Sequence, residues 1–335
     1  VNRRDDDVTA ANQPTVWTLT DGKAGDEQPL IGIAEAMSVE PVLRHVRPRK
    51  LFTWFMPWGP VDPREAVGRP GSPLAPPFPD ICLATGRRAV AYLRALKAAS
   101  PTTLTVFFKD PRTSRHGADL LIVQAHDRPR GKNVLTVTTA PNRMSQKRFD
   151  EIRKAPPAEL NALPSPRIAV LVGGNSRHHH FSETDISHLI DGLQALRRNG
   201  ASLMVTASRR TPEALKQQLE ALGREPSVHF WNGKGDNPLA PYLALADEIV
   251  VTADSTNMIG EAASTGQPVQ IFYPGGGHPK IDRFLAELSR EANLGRFPDS
   301  PASGSYPPVN STPLIAGTIL DLWKRDREAA ADRTA

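Results

Sequence analysis

The sequence predicts an α/β protein built from two parallel-sheet domains. Three observations carry this. Short apolar runs alternate with helix-period segments through both halves. The chain has 335 residues, too many for one ordinary core and a comfortable number for two. In each half, strands end in Gly, Ser, Thr or Asp and lead into a helical segment, as β-α units do.

Each element follows from its residues. The first strand is expected at 15–19; it runs into Thr20-Asp21-Gly22-Lys23-Ala24-Gly25-Asp26-Glu27-Gln28, with a helix over about 26–37. A second strand at 79–84 leads through Thr85-Gly86 to a helix over about 88–98. Apolar runs at 104–108, 120–123 and 134–138 complete this half. The polar, Pro-rich stretch 154–166 then reads as a linker. A strand at 167–172 opens the second half and empties into Gly173-Gly174-Asn175-Ser176. Ser182 with Asp185 three residues on marks a helix start, Gly200 its end, and Ile186, Leu189, Ile190, Leu193 and Leu196 its buried stripe. Strands are expected at 202–207, 228–231, 248–252 and 268–273, with helices over about 212–222, 238–246 and 256–265. Thr312-Pro313 starts a terminal helix, and the charged tail after Lys324 is expected to fray. The domain scheme is a disordered N-terminus over 1–13, an N-terminal domain over 14–155, a linker over 156–166, a C-terminal domain over 167–311, and a terminal helix and tail over 312–335.

Composition narrows the function. Hydrophobic residues at 39% and charged residues at 23% are globular values. A net charge of +5 suits anionic small molecules or an anionic membrane face. No zinc finger, base-stacking motif or basic block points to nucleic acid. The single cysteine, Cys82, fits a reducing compartment, and no apolar run is long enough to span a membrane. The expected location is the cytoplasm, with peripheral binding at the inner membrane as an option.

Four segments carry candidate chemistry. Gly173-Gly174-Asn175-Ser176-Arg177 follows a buried strand, so backbone N–H groups, a helix start and the Arg177 guanidinium could meet an anion; a plain tight turn reads as well. The spacing is neither that of a P-loop nor that of a dinucleotide fingerprint. Thr252-Ala253-Asp254-Ser255-Thr256-Asn257-Met258-Ile259-Gly260-Glu261 places hydroxyls at a helix start for a phosphate and a carboxylate two turns in for a ribose diol. The alternative is a capped helix with one exposed glutamate. In the first half, Asp21, Gly22, Lys23, Gly25, Asp26 and Gln28 follow the first strand and Gly86 follows the second. Asp26 by itself reads as a plain first-turn carboxylate. Finally, Arg47, Arg49 and Lys50 precede Leu51-Phe52-Thr53-Trp54-Phe55-Met56-Pro57-Trp58, a pattern of an interfacial anchor or of a core segment. Lys109-Asp110-Pro111-Arg112 reads mainly as turn initiation, and His178-His179-His180 are too close in sequence to close on one metal ion.

The order of these motifs in the second half, with Ser208-Arg209 after one strand, Phe230-Trp231 at another and Gly266-Gln267-Pro268 beyond Glu261, resembles the donor half of GT-B glycosyltransferases. It is similar to the peptidoglycan N-acetylglucosaminyl transferase and lipid A disaccharide synthase families. More narrowly, residues 20–28, 173–176 and 252–261 with Gly266 and Pro268 resemble the bacterial branch of the mitochondrial fission factor (Elm-type) family, over about residues 16–297. The resemblance implies a GT-B-like fold, two Rossmann-like domains with parallel sheets facing across a cleft. It implies a donor site of Gly173, Gly174, Asn175, Ser176, Arg177, Ser208, Arg209, Phe230, Trp231, Asp254, Ser255, Thr256, Asn257, Met258 and Glu261. In the first half the GT-B resemblance implies an acceptor-side loop, with Asp21 and Asp26 as candidate bases for an acceptor hydroxyl and Lys23 able to offset phosphate charge. The related transferases often carry a histidine in the first-half loop, where this sequence has none.

The function expected on this basis is transfer from a nucleotide-diphosphate sugar, without cofactor or metal, to an acceptor that a membrane could present in lipid-linked form. A non-catalytic membrane-surface scaffold and a nucleotide-sugar epimerase are the alternatives.

Overall fold

In the computed structural model, the described residues are 13–127, 131 and 133–332. Residues 1–12, most of the expected disordered terminus, lie outside them, as do residues 333–335 of the tail. The chain divides into two units. The first comprises residues 1–137, 141–143 and 311–335, and the second 138–140 and 144–310.

The first unit runs β1 (Val16–Thr20), α1 (Ala24–Ala36), β2 (Val42–His45), α2 (Lys50–Phe55), β3 (Ile81–Thr85), α3 (Ala89–Ala99), β4 (Leu104–Phe108), β5 (Leu120–Gln124) and β6 (Val134–Val137). All strands are parallel, in the order β2-β1-β3-β4-β5-β6. The central strands β1, β3, β4 and β5 are buried along their whole length, which is why they read as continuous apolar runs. Trp17, Leu19, Cys82, Ala84, Phe107 and Leu121 pack into one core layer with Tyr92 and Leu93 of α3. Strand order reverses between β1 and β3, so the loops after these two strands open at the switch point of the sheet.

The second unit runs α4 (Gln146–Lys154), α5 (Ala158–Asn161), β7 (Arg167–Val172), β8 (His179–His180), α6 (Glu183–Arg198), β9 (Ser202–Ala207), α7 (Glu213–Leu222), β10 (Val228–Trp231), α8 (Leu239–Leu245), β11 (Glu248–Thr252), α9 (Thr256–Ala263), β12 (Val269–Phe272), β13 (Gly275–Gly276), α10 (Pro279–Leu288) and β14 (Leu294–Arg296). Its parallel sheet has the order β10-β9-β7-β11-β12-β14, the doubly wound order 3-2-1-4-5-6. Alternate residues of β7 and β11 feed the two sides: Ala169, Leu171, Ile249 and Val251 one core layer, Ile168, Val170, Val172 and Val250 the other. The switch point lies between β7 and β11, where Gly173 and Asp254 emerge.

Three expectations change. Residues 144–155, expected at the end of the N-terminal domain, and the expected linker 156–166 both belong to the second unit: Phe149 in the first stretch and Leu160 in the second are buried in that unit's core, and Arg153 Nε donates to the Ala244 carbonyl at 2.8 Å. The C-terminal helix α11 (Thr312–Ala331) belongs to the first unit and packs on α1 through a stripe that includes Ile315, Ile319 and Trp323. Its charged end stays helical to Ala331 instead of fraying at Lys324. Among the described residues no helix is long and apolar enough to cross a membrane.

Candidate functional site

In the second unit the Gly173-Gly174 turn is built for packing. Gly173 N–H donates to Thr252 Oγ1 at 2.8 Å and Gly174 N–H to Asp254 Oδ2 at 3.1 Å. Asn175 N–H donates to the Arg210 carbonyl and Ser176 N–H to the His179 carbonyl, both at 3.0 Å. A Cβ on Gly173 would sit 2.1 Å from the Asp254 carboxylate, and one on Gly174 2.0 Å from the Arg210 backbone. The glycines are thus required by close approach, but their amides are spent inside the protein. This corrects the expectation that the turn's own N–H groups cradle a diphosphate. Nor does a helix start directly after the turn: β8 intervenes, pairing antiparallel with β13, and α6 begins only at Glu183 behind the Ser182–Asp185 capping box.

Asp254 is the centre of this construction. Its side chain is fully buried, accepts from Thr252 Oγ1 at 2.6 Å and from Gly174, and pairs with Arg210 NH2 at 2.9 Å. It therefore shapes the site, joined by Arg210, which sequence reading passed over in favour of its neighbour Arg209.

Two recesses flank the start of α9. One, of about 480 Å³, is lined by Ser176, Arg177, His178, His179, Asp254, Ser255, Thr256, Asn257, His278 and Lys280. Ser255 caps the helix, its Oγ accepting from Met258 N–H at 3.4 Å, while the N–H groups of Thr256 and Asn257 have no acceptor within the helix itself. The His178 and His278 rings lie 4.3 Å apart on one wall. Burial, with the neighbouring charges of His178, His278 and Arg210, lowers the His179 pKa against the pull of Asp254. Arg177, Lys280 and the imidazoles beside a helix start, with Asp254 the sole carboxylate of the lining and already paired, are a chemistry suited to an anion. Among the described residues no three His, Cys, Asp or Glu side chains converge for a metal.

The second recess, of about 550 Å³, has the volume of a small-ligand pocket and is lined by Leu171, Ser208, Arg209, Trp231, Asn237, Leu239 and Met258, among others. Ser208 Oγ is occupied by Arg210 N–H at 3.1 Å. Trp231 Nε1 donates to the Lys234 carbonyl at 2.7 Å and fixes the following loop. Phe230 points the other way, packing on the core of α6 and α7. Glu261 lies one turn beyond Met258 on the same helical face, is half-buried, and has its pKa raised by burial from an ordinary 4.5 to about 7.

In the first unit the switch-point loops gather the expected residues and add one. Gly22 adopts φ +78° and Gly86 φ +92°, a region open to glycine. Asp21 is held by Lys23 at 2.7 Å and lies 3.6 Å from Arg88. Burial raises its pKa, but the Lys23 hydrogen bond and the Lys23 and Arg88 charges outweigh this, so it stays below the usual carboxylate range. Asp26 pairs with Lys109 at 2.9 Å, and Lys109 takes φ +81° at the end of β4. Both expected bases are therefore engaged by cations. Asp110 accepts from Arg112 N–H at 2.8 Å, the turn that sequence reading favoured. Gln28 is taken up by Arg143 at 3.0 Å on the flank of α1, and Gly25 has open space around it, so neither is tied to the loop geometry.

The added residue is His45. Register pairs it with Thr20, so β2 delivers it beside the loop that starts at Asp21, where a Cβ on Gly22 would lie 3.6 Å from the ring. Its Nε2–H donates to the Glu27 carboxylate in a short hydrogen bond, leaving Nδ1 to accept a proton. His45 of the neighbouring strand thus lies beside a loop that carries no histidine of its own.

Two Rossmann-like units, each with its polar groups at the switch point of a parallel sheet, define a GT-B-like protein. The chain belongs to the Mitochondrial fission ELM1 family, which matches it over residues 24–323. The mitochondrial fission protein ELM1 of Arabidopsis thaliana is 30% identical over 273 residues, covering 72% of this chain and 63% of that protein. The protein RP120 of Rickettsia prowazekii is 30% identical over 160 residues, 45% of each chain. The matched regions thus span less than two thirds of either relative. Among solved structures, a putative UDP-N-acetylglucosamine 2-epimerase of Listeria monocytogenes superposes with a TM-score of 0.50 at 11% identity, over 93% of this chain and 97% of that one, a likeness of fold.

Proposed function

We propose that the chain binds a nucleotide-diphosphate sugar in its second unit and transfers the sugar to an acceptor at its first. The observation that carries this reading is the pairing, around one helix start, of a cationic recess and a nucleoside-sized pocket. The diphosphate would lie against the N–H groups of Thr256 and Asn257, with Arg177, His178 and His278 opposing its charge. The base would sit by Trp231 and Met258, and the ribose diol would donate to Glu261. In the transfer, the acceptor oxygen forms a bond to the anomeric carbon as the bond from that carbon to the diphosphate breaks. The acceptor proton goes to His45 Nδ1, and Glu27 stabilises the imidazolium. Glu261 and the anion recess hold the donor, whereas His45 acts only on the acceptor. A lipid-linked acceptor at the inner membrane face is the finer form of this proposal.

A non-catalytic scaffold is the second reading, favoured by the ion pairs that occupy Asp21 and Asp26. Thermal-shift screening against nucleotide sugars, followed by product analysis, separates the possibilities. Stabilisation by at least one donor, and release of its nucleoside diphosphate with acceptor present, support transfer. Isomerised donor without acceptor identifies an epimerase, and no stabilisation by any donor favours the scaffold. His45→Gln is expected to lower turnover by about 10²–10⁴-fold with donor affinity unchanged; unchanged turnover would remove His45 as the base.

A further inference from the structure

We propose that residues 51–58 of the first unit form a docking surface for an anionic lipid bilayer. Leu51, Trp54, Phe55 and Trp58 are 65%, 77%, 51% and 66% exposed, and α2 has no fully buried residue. Isolated exposed apolar side chains need no explanation; two tryptophans, a phenylalanine and a leucine within eight residues do.

The segment that carries them is firmly built. Arg87 donates to the carbonyls of Met56 and Trp54, and Arg94 to those of Gly59, at 2.7 Å, and Trp58, at 3.3 Å. Arg49 forms a two-pronged pair with the buried Asp62 at 2.9 Å for both contacts. Met56 is fully buried, and Phe52 packs against the core below. Five backbone or side-chain anchors thus fix a loop whose largest apolar groups nevertheless point to solvent. A chain free to tuck these rings inward would do so; this one is braced to present them.

Charge identifies the occupant. Residues 41–70 carry six Lys and Arg against two Asp and Glu, a net +4 within a chain of net +5. One of the two acids, Asp62, is consumed by Arg49. Arg47, Lys50, Arg64 and Arg69 of the flanking sequence are exposed, as is Arg87, which donates to carbonyls of the segment itself. Amphipathic rings on a cationic rim match the headgroup region of an anionic leaflet, where each nearby cation and each buried ring adds to affinity. A six-residue helix reaches only into that interfacial layer. Arg88, next to the bracing Arg87, contacts Asp21, so docking would bring the bilayer close to the loop at Asp21, beside which β2 places His45. The bilayer contact itself does not depend on the proposed sugar transfer; only its use, to present a lipid-linked acceptor, rests on that reading.

Co-sedimentation of the full chain with vesicles tests this. With about 30% phosphatidylglycerol in phosphatidylcholine, the wild type is expected to bind and its tryptophan emission to shift to the blue, with binding weakened at about 0.5 M salt. Vesicles of phosphatidylcholine alone are expected to bind little. The double variant Trp54→Ser/Trp58→Ser is expected to lose at least about tenfold in partitioning, with its melting temperature and nucleotide-sugar response unchanged. Failure of the wild type to bind anionic vesicles, or equal binding by the double variant, would overturn the proposal. So would a wild-type dimer that the double substitution disperses, since the patch would then face a second copy. Vesicle binding without any donor response would leave the bilayer proposal standing and count against the sugar chemistry.

Discussion

Glu261→Gln is expected to make the protein more stable above pH 7 and to cost it nucleotide affinity. Burial raises the Glu261 pKa from an ordinary 4.5 to about 7. Between these values the native state holds a proton that the unfolded chain has released, so unfolding free energy falls as pH rises through this window. Above pH 7 the full cost of a desolvated carboxylate is present, about 3 kcal/mol for a shift of this size. Glutamine removes the charge and with it the cost, so urea unfolding at pH 8 is expected to show a gain of this order and at pH 4 almost none. The opposite applies to ligand. An ionised carboxylate accepts from both hydroxyls of a ribose, an interaction worth about 1.5–3 kcal/mol for charged hydrogen bonds, and glutamine cannot accept twice with equal strength. Wild-type affinity for a nucleoside diphosphate should therefore tighten as pH rises towards 7, with proton release on binding. A stabilised variant with undiminished affinity would separate Glu261 from the ribose.

Asp254→Ala is expected to be among the most destabilising single changes at the site. The fully buried carboxylate satisfies Gly174 N–H, Thr252 Oγ1 and Arg210 at once. Alanine leaves two buried donors without an acceptor, at about 1–3 kcal/mol each. Arg210 is half-exposed, with 47% of its side chain accessible, so water replaces part of its lost partner and adds little to that total. A loss of about 3 kcal/mol in urea unfolding is the expected result, with Asp254→Asn falling between the two because its amide oxygen can still accept from Gly174. A change below about 0.5 kcal/mol for alanine would show that the Gly-Gly turn holds itself.

Sequence reading worked where a strand is buried on both faces. Leu104–Phe108, Arg167–Val172, Ser202–Ala207 and Glu248–Thr252 appear with the bounds expected of them, because burial in a parallel sheet enforces unbroken apolar or β-branched runs; the partly exposed edge strand Val228–Trp231 also appears as expected, through its Val, Phe and Trp. It missed β2 because that edge strand is half-exposed and its Val42-Leu43-Arg44-His45 shows no such run. With β2 went His45, whose place depends on a register with Thr20 that no local pattern encodes. Helix α10 is not among the expected elements, although Ile281, Phe284, Leu285 and Leu288 recur at helical spacing. The glycine pair is expected to meet an anion, whereas its glycines are demanded by Asp254 and the Arg210 backbone, partners 81 and 36 residues away in sequence. Local sequence shows that a position needs glycine; only the packing shows what comes close to it.

The most direct measurement is a crystal structure of the protein soaked with a nucleoside diphosphate that stabilises it in thermal shift. The account predicts the diphosphate against the N–H groups of Thr256 and Asn257, between Arg177 and the His178–His278 pair, with the ribose hydroxyls on Glu261. A nucleotide bound elsewhere, or held with its ribose turned away from Glu261, would contradict it.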